Sequence, residues 1–524
     1  MIALYLVLLP ILGGTLSYLF NEKLAKISYY LIQCLQIVLV IFLFDQVRND
    51  EIITYVVGGH TSNIGVEFIV DGINSKFVIL TVLLFTVLLI YDFKKSYSNK
   101  LFLFLILILE GIISGIFMAN DIFTLFVLIE VSTIIVSILI MFKKDSRSIY
   151  DGMLYLLINI VGMSFFSVGI GYLYKIFGTL NITLLRELIV VNSDLNLRLP
   201  FAFIITGVGL KSAIMPLFSW LPKAHGTPSA PPTVSALLSG IYIKCGVYLF
   251  LMFMTLFSPA INLQLFFELT GFLTAVIGFV FALSQKDIKL ILAYHTVSQV
   301  GLIVFGYALG TEYAMYGSFY HITVHALFKS SLFLSAGIIV DKYKTRNITE
   351  IRGLFKSMPF VSVMIVIAIL SITGAPFFSG SISKILISKD IKTSSQSVMF
   401  LIINIGTILS FVKYSTMLFG TSEKRFKVDL NQLVALTILS VLCLLMGVLG
   451  EHIVYQFFGA KLHLTFAMYL DKTVTFVLHA VIGVLFYIFV YERVSLFTKI
   501  RNTDVSFNNV VFFITIFFAT LLMI

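Results

Sequence analysis

Long apolar stretches separated by short polar segments fill almost the whole chain of 524 residues. A membrane-spanning helix needs about 20 apolar residues, and that length predicts about sixteen spans along this sequence. They lie near residues 2–20, 27–44, 74–93, 101–119, 122–142, 150–177, 200–220, 233–257, 263–284, 289–309, 313–340, 358–389, 396–420, 431–450, 472–492 and 507–524. The pattern therefore predicts an all-α polytopic membrane protein.

Two of the predicted spans, the seventh and the twelfth, carry helix-breaking residues inside apolar sequence. The seventh runs into LKSAIMPLFSWLPKAHGTPSAPPTVSALLSGIYIK, where Pro216 follows Lys211. The twelfth contains GAPFFSGSISK, in which Gly374, Pro376 and Gly380 interrupt the apolar run. Unwound backbone at membrane depth is tolerated only where it is buried or lines a water-filled cavity. We therefore expect the side chains at both breaks to lie next to water.

Broken helices in corresponding positions of two halves are typical of inverted repeats with an ion site at mid-membrane. We therefore predict two inverted five-helix repeats. The predicted parts of the chain are N-terminal transmembrane helices in 1–100, the first repeat in 101–257, the second repeat in 263–420 and C-terminal transmembrane helices in 421–524. Alternating β-branched residues at 52–57 and 64–70 predict a small β-hairpin in the outer loop of the N-terminal part.

The charge pattern supports a membrane protein and argues against a nucleic-acid partner. Charged residues make up 12% of the chain, against about 25% in an average soluble protein. The net charge is +10, but the basic residues collect in short loops after odd-numbered spans. Positively charged loops face the cytoplasm, so both termini should lie outside. We expect a multi-pass protein of the cell membrane.

Three ionisable residues lie deep inside predicted spans of the first repeat: Glu130, Lys211 and Lys244. A charged side chain at mid-membrane costs about 2.5–3.5 kcal/mol, so such residues usually have a function. Glu130 is either a locally neutralised carboxylate or the counter-charge of Lys211, and a mobile pair of this kind would load and release a proton. Lys244 is either satisfied by backbone carbonyls or the next proton carrier.

Span eleven carries His321, His325 and Lys329 at i, i+4 and i+8, which places them on one helix face. Metal or haem ligation is one interpretation, although the sequence supplies no obvious further ligands. A packed histidine pair is another, and a proton relay is the interpretation that we favour because histidine titrates near neutral pH. His295, at the start of span ten, is either a hydrogen-bonded interior residue or part of the same relay.

The segment after the first break carries Lys223 and His225, which would either admit protons at the cytoplasmic mouth or simply face water. Trp220, the single tryptophan, is predicted to anchor the chain at the membrane interface. The three cysteines lie in apolar segments without C-x-x-C spacing, and we find no phosphate-binding or dinucleotide motif. We therefore expect no metal, no cofactor, and no redox or hydrolytic site in this chain.

Several long motifs, taken in order, resemble a known family. They are GVEFIVDGINSKF, LKSAIMPLFSWLPKAHGTPSAPPTVSALLSGIYIKCGVY, KDIKLILAYHTVSQVG, HITVHALFKSSLFLSAG and GAPFFSGSISK. Together they are similar to the antiporter-like proton-translocating subunits shared by respiratory complex I, Mrp-type cation/proton antiporters and membrane-bound hydrogenases. The resemblance covers roughly residues 60–420.

This resemblance implies roles for individual residues. Glu130 and Lys211 would be the paired switch residues of the first half-channel, and Lys244 would be the central connecting lysine. The second-half relay would comprise His321, His325 and Lys329, and Lys384 would be the exit residue on the second broken helix. The distal complex I subunit has a long lateral helix before its last span, whereas about 14 residues here reach only about 21 Å. This difference favours a hydrogenase-like or Mrp-like assembly.

Our leading hypothesis is a proton-translocating membrane subunit of a multisubunit complex, either a redox-driven pump or an Mrp-type antiporter. Its partners would be other membrane subunits, the lipid bilayer and protons, with exchange against sodium left open. Two alternatives remain at this point. The chain would work alone as a cation/proton exchanger, or it would be a non-conducting structural scaffold.

Overall fold

A computed structural model describes residues 1–47, 52–59, 65–226, 230–422, 424–491, 493–501 and 507–524. Within these residues, twelve helices are long and apolar enough to cross a membrane, and three shorter apolar helices accompany them. The protein is therefore a mostly helical, multi-pass membrane protein, as the hydrophobic pattern predicts. The count of sixteen spans and the inverted repeats stay predictions.

The N-terminal elements, in chain order, are α1 (Ile2–Tyr18), α2 (Glu22–Val47), β1 (Ile53–Val56), β2 (Glu67–Val70), α3 (Asn74–Asp92), α4 (Lys100–Met118), α5 (Ile122–Ile140), α6 (Ser146–Phe177), α7 (Ile182–Val191) and α8 (Arg198–Lys211). The central elements are α9 (Trp220–Gly226), α10 (Pro232–Phe257), α11 (Gln264–Ser284), α12 (Ile288–Ala308) and α13 (Glu312–Tyr343).

The C-terminal elements are α14 (Leu354–Ser357), α15 (Pro359–Thr373), α16 (Ser379–Lys389), α17 (Ser394–Leu418), α18 (Leu430–Val448), α19 (Gly450–Phe458), α20 (Phe466–Tyr491), α21 (Leu496–Arg501) and α22 (Phe507–Met523).

Short polar caps separate neighbouring apolar helices. The side chain of Asn99 accepts from the backbone at the start of α4, and Asp121 and Asp145 do the same for α5 and α6. Asp287 caps α12 in the same way. A cap of this type satisfies a backbone N–H that has no partner within the helix, which matters most where water is scarce.

The predicted hairpin is present as two short antiparallel strands. Ile53 pairs with Val70, and Val56 pairs with Glu67. The strands are shorter than the predicted stretches. Residues 60–63 of the predicted turn, and residue 64 of the second stretch, lie outside the described residues.

Both predicted helix breaks are present. Helix α8 ends at Lys211 and helical structure resumes at Trp220, with Pro216 in the gap. Helix α15 ends before Gly374, whose positive φ of 81° is readily accessible only to glycine, and α16 begins after Pro376. Gly380 lies in the first turn of α16, where a side chain would collide with the α15 backbone.

The chain divides into two compact units. The first comprises 1–212, 241–263 and 507–524, and the second comprises 213–240 and 264–506. The first unit contains α5, α6, α8 and the later part of α10, whereas the second contains α12, α13, α15 and α16. The predicted division at 101–257 and 263–420 stays a prediction.

Trp220 is not an interfacial anchor, so that prediction is wrong. Its side chain is 1% exposed and packs within the second unit near the ring of His225, with 6.5 Å between the ring centroids. The sequence pattern placed it at the end of a span, but the chain after the break folds back into the protein interior.

Candidate functional site

Lys211 ends α8 inside the first unit, and its ammonium is surrounded by hydroxyl groups. Lys211 Nζ donates to Thr133 Oγ1 at 2.5 Å and to the Tyr242 hydroxyl at 3.3 Å. The rings of Tyr155 and Tyr242 lie 5.8 Å and 5.7 Å from Nζ, close enough for cation–π attraction. The lysine is 6% exposed, so these contacts replace most of its hydration.

The hydroxyls around Lys211 form a network whose donors and acceptors match. Thr133 donates its own proton to the carbonyl of Ile129, which leaves its oxygen lone pairs for Lys211. Tyr155 donates to the Tyr242 hydroxyl at 2.9 Å, so that hydroxyl accepts from both Tyr155 and the lysine. Fully satisfied buried networks of this kind hold side chains in fixed positions.

Glu130 lies one helical turn before Thr133 on α5 and is half-buried. Residues three apart on a helix are neighbours on its surface. The negative charge of Glu130 interacts with the positive charge of Lys211, yet among the described residues the two do not form a direct ion pair. Lys211 therefore donates to hydroxyl groups in this structure. Its predicted partner, Glu130, lies one helical turn from Thr133, which carries one of these hydroxyls.

Lys244 is fully buried on α10, in the same unit as Lys211. Two residues further on, Gly246 packs against the end of α8, where an added Cβ would lie 2.6 Å from the Lys211 carbonyl oxygen. Glycine at this position therefore permits the close approach of α10 to the lysine. A cavity of about 10 Å³ borders Lys211, Tyr242 and Gly246, which is room for about one water molecule.

His321 forms the centre of a second polar network, in the second unit. Its Nε2 is 3.1 Å from Gln299 Oε1, and its Nδ1 is 2.8 Å from Ser383 Oγ. Gln299 Nε2 donates to Thr407 Oγ1 at 3.4 Å, which fixes the amide with its oxygen toward the histidine. Nε2 of His321 is therefore the donor in its contact with Gln299.

Two further lysines of the second unit are fully or almost fully buried and donate to backbone carbonyls. Lys329 Nζ donates to the Leu292 carbonyl at 2.8 Å. Lys384 Nζ donates to the carbonyls of Ile372 and Thr373, at 3.3 Å and 2.9 Å, at the open end of α15. The helix break thus supplies the carbonyl ligands of Lys384, because the last carbonyls of a helix have no partner within it.

A cavity of about 440 Å³ borders Lys384. Lys472 and His479, both on α20, line it together with Ser381 and Asn404. This cavity is the space for water that we expected beside the second break. Lys472 and His479 were not among the residues predicted from the sequence.

The remaining histidines of the relay are fully buried. The ring of His325 lies 6.1 Å from that of His321 and 5.3 Å from that of Phe328, measured between centroids. His295 packs edge-on against Phe411 at 4.7 Å, and neither of its ring nitrogens has a hydrogen-bond partner among the described residues. His325 belongs to the polar face of α13, whereas the ring contact of His295 is with an aromatic side chain.

The two proposed entry residues differ in exposure. His225 is fully buried near Phe333, so it does not face water as one of the two interpretations assumed. Lys223, on the same short helix, is partly exposed. Of these two residues, only Lys223 therefore reaches the surface of the unit.

The described residues contain no group of three or more His, Cys, Asp or Glu side chains arranged to hold a metal ion. The ligands that do gather around the buried cations are hydroxyl and carbonyl oxygens. Sequence reasoning missed Thr133, Tyr242 and Ser383, because each contacts a residue distant in the chain and shows no special spacing.

Long apolar helices that enclose lysines and histidines define a multi-pass membrane protein with ionisable groups inside its helical bundle. The chain belongs to the NADH:quinone oxidoreductase/Mrp antiporter transmembrane family, whose sequence profile matches residues 119–411. This confirms the resemblance that the motifs indicate.

Two relatives illustrate the range of the family. The chain is 30% identical over 391 residues to the D subunit of the Na⁺/H⁺ antiporter of Alkalihalophilus pseudofirmus, covering 72% of this chain and 78% of the relative. It is 31% identical over 343 residues to the N subunit of the NADH-quinone oxidoreductase of Desulforudis audaxviator, covering 63% of this chain and 67% of the relative.

Two solved structures share the fold. A chain of the Mrp complex from a Dietzia species matches with a TM-score of 0.79 at 20% identity, covering 92% of this chain and 99% of that one. A chain of the membrane-bound sulfane sulfur reductase, an archaeal respiratory membrane complex, matches with a TM-score of 0.81 at 24% identity, covering 91% and 99%.

Proposed function

We propose that this chain is a proton-translocating subunit of a multisubunit membrane complex. Protons move along two sets of buried ionisable side chains, one in each compact unit. The first set comprises Glu130, Lys211 and Lys244, and the second comprises His295, His321, His325, Lys329 and Lys384. The observation that carries the proposal is that three buried lysines of these sets, Lys211, Lys329 and Lys384, are held by neutral oxygens.

Neutral oxygen ligands suit a lysine that must both hold and release a proton. An ammonium group donates three hydrogen bonds, and a neutral amine still donates two. Lys329 and Lys384 donate to backbone carbonyls, which accept from either form. The contacts therefore survive the loss of a proton, whereas an ion pair with a carboxylate would oppose it.

The hydroxyl of Ser383 gives His321 two stable protonation states. When Ser383 donates to His321 Nδ1, the imidazole is neutral with its proton on Nε2. When the hydroxyl turns to the Gly380 carbonyl, which lies 3.0 Å from Ser383 Oγ, the same Nδ1 donates and the ring is an imidazolium. The Ser383 hydroxyl therefore rotates once each time His321 gains or loses a proton. Ser383 directly precedes Lys384 in the chain.

The names of the relatives support transport within a complex, since one is a subunit of a Na⁺/H⁺ antiporter and the other a subunit of an NADH-quinone oxidoreductase. We place the chain in the cell membrane with both termini outside, on the evidence of its basic loops. Reporter fusions at each terminus, active only on one side of the membrane, test that orientation.

The central test is proton transport by the complex purified with this chain and reconstituted in liposomes. We expect Lys211→Ala, Glu130→Gln and Lys329→Ala each to abolish the pH gradient while the complex still assembles. Lys413→Ala is the matched control. Lys413 is also buried and donates to the backbone carbonyls of Leu283 and Gln285, but it lies outside both proposed sets.

Each competing function predicts a different result. A structural scaffold predicts normal transport in every variant, and that outcome would overturn the proposed path. A self-sufficient exchanger predicts proton transport by the isolated chain in liposomes without its partners. We expect the isolated chain to be inactive, because the proposed subunit works within its complex.

A further inference from the structure

A group of polar side chains lies inside the N-terminal helices, apart from both proposed proton paths. Glu110 is the eleventh of nineteen residues in α4, at the middle of the span, and it is completely buried. Gln33, on α2, donates from Nε2 to Glu110 Oε1 at 3.0 Å. The same amide nitrogen lies 3.0 Å from Thr86 Oγ1 on α3. Side chains of three helices therefore meet at the amide nitrogen of Gln33, which contacts the buried carboxylate.

Several oxygens of this group have no hydrogen-bond partner among the described residues. They are Glu110 Oε2, Gln33 Oε1, Gln36 Oε1 and the hydroxyls of Tyr29 and Ser114, and the amide nitrogen of Gln36 is unpaired as well. Tyr29, Gln33 and Gln36 lie on one buried face of α2, and Ser114 lies one turn after Glu110. Buried polar atoms are almost always paired, so a cluster of unpaired oxygens requires an explanation.

The negative charge of the Glu110 carboxylate also requires an explanation. Within the described part of the chain, Glu110 has no basic side chain as an ion-pair partner. A buried carboxylate without a counter-charge is costly, so a positive charge must join it. A proton on Oε2 would donate to one neighbouring oxygen and leave the other oxygens unpaired. A metal cation would bind several oxygens at once.

We propose that Glu110, Gln33 and Gln36 form a binding site for a monovalent metal cation, Na⁺, to which Tyr29 and Ser114 contribute oxygens. Oxygen atoms of carboxylates, amides and hydroxyls are the ligands that hard cations prefer. A single carboxylate matches a single positive charge, which makes a divalent ion a poorer fit. The site does not depend on the proposed proton path, since none of its residues belongs to that path.

Labelling of carboxyl groups by dicyclohexylcarbodiimide tests the site, because this apolar reagent attacks buried carboxyls in their protonated form. The complex is treated in detergent with increasing NaCl, and choline chloride holds the ionic strength constant. Mass spectrometry then reports the labelling at Glu110. We expect Na⁺ to protect Glu110, and Gln33→Leu to raise the half-protecting Na⁺ concentration by about tenfold or more.

Glu268 provides the matched control. It is a buried carboxylate that also accepts from a glutamine, at 2.9 Å from Gln396 Nε2, but the amide oxygen of Gln396 is occupied by backbone N–H groups. Labelling at Glu268 should not respond to Na⁺, and Glu268→Gln should leave the protection of Glu110 unchanged. Labelling of Glu110 that is independent of Na⁺ would overturn the proposal, as expected if only internal water fills the cluster.

Discussion

Replacing Thr133 by valine removes one hydroxyl from the ammonium of Lys211 and leaves the size of the side chain nearly unchanged. A hydrogen bond to a charged group contributes about 1.5–3 kcal/mol. Since 1.4 kcal/mol corresponds to a factor of ten, the loss shifts Lys211 from its hydroxyl ligands toward Glu130 by about 10- to 140-fold. If the hydroxyl-bound state is needed in every cycle, we expect proton transport to slow by about tenfold or more.

The assay is the initial rate of proton uptake by the reconstituted complex, normalised to the amount of assembled complex. Thr133→Ser keeps the hydroxyl and should restore the rate. Ser137→Ala is the control on the same helix, because Ser137 donates to the Gly152 carbonyl and does not contact Lys211. A Thr133→Val complex that pumps at the wild-type rate would refute the role of the hydroxyls in the switch.

Three further predictions follow from contacts around the two breaks. Ser383→Ala removes the partner of His321 Nδ1, so we expect slower proton uptake with normal assembly, and an unchanged rate would contradict the relay. Gly374→Ala places a Cβ 2.7 Å from Lys384 Cδ at a residue with positive φ. We expect this change to destabilise the protein by about 1–3 kcal/mol and to lower its unfolding temperature in detergent. An unchanged unfolding temperature would argue against the geometry of this break. Gly246→Ala directs a Cβ at the last carbonyl of α8, so both stability and transport should fall, and a variant normal in both would show that the approach is not tight.

The sequence predicts the membrane helices, the hairpin and both helix breaks because each of these leaves a local signal. Apolar length marks a span, alternation marks a strand, and Pro216 or Gly374 inside apolar sequence marks a break. The motif resemblance points to Lys211 and Lys384 because both lie in local sequence motifs. The local pattern does not reveal which side chains meet across helices.

Tyr242 illustrates that limit. It contacts Lys211 from another helix, and an aromatic residue in an apolar span looks like ordinary core. Glu110 is a different case, because a carboxylate inside LFLFLILILEGIISG is a visible signal of the kind that drew attention to Glu130. The error at Trp220 has a third cause, since a residue at a predicted span end can turn inward when the following chain is itself buried.

Lys211 in the first unit is held by different oxygens from Lys329 and Lys384 in the second, and this difference has a chemical consequence. The Lys211 ligands are hydroxyls of Thr133 and Tyr242, which sit on rotatable side chains and can either accept or donate. The Lys329 and Lys384 ligands are backbone carbonyls, which are fixed and only accept. A lysine on hydroxyls can exchange them for a nearby carboxylate, whose charge offsets the hydrogen bonds that are lost, so Lys211 is suited to the switching that we propose. A lysine on carbonyls stays in place in both protonation states, so Lys329 and Lys384 are suited to carrying the proton without moving.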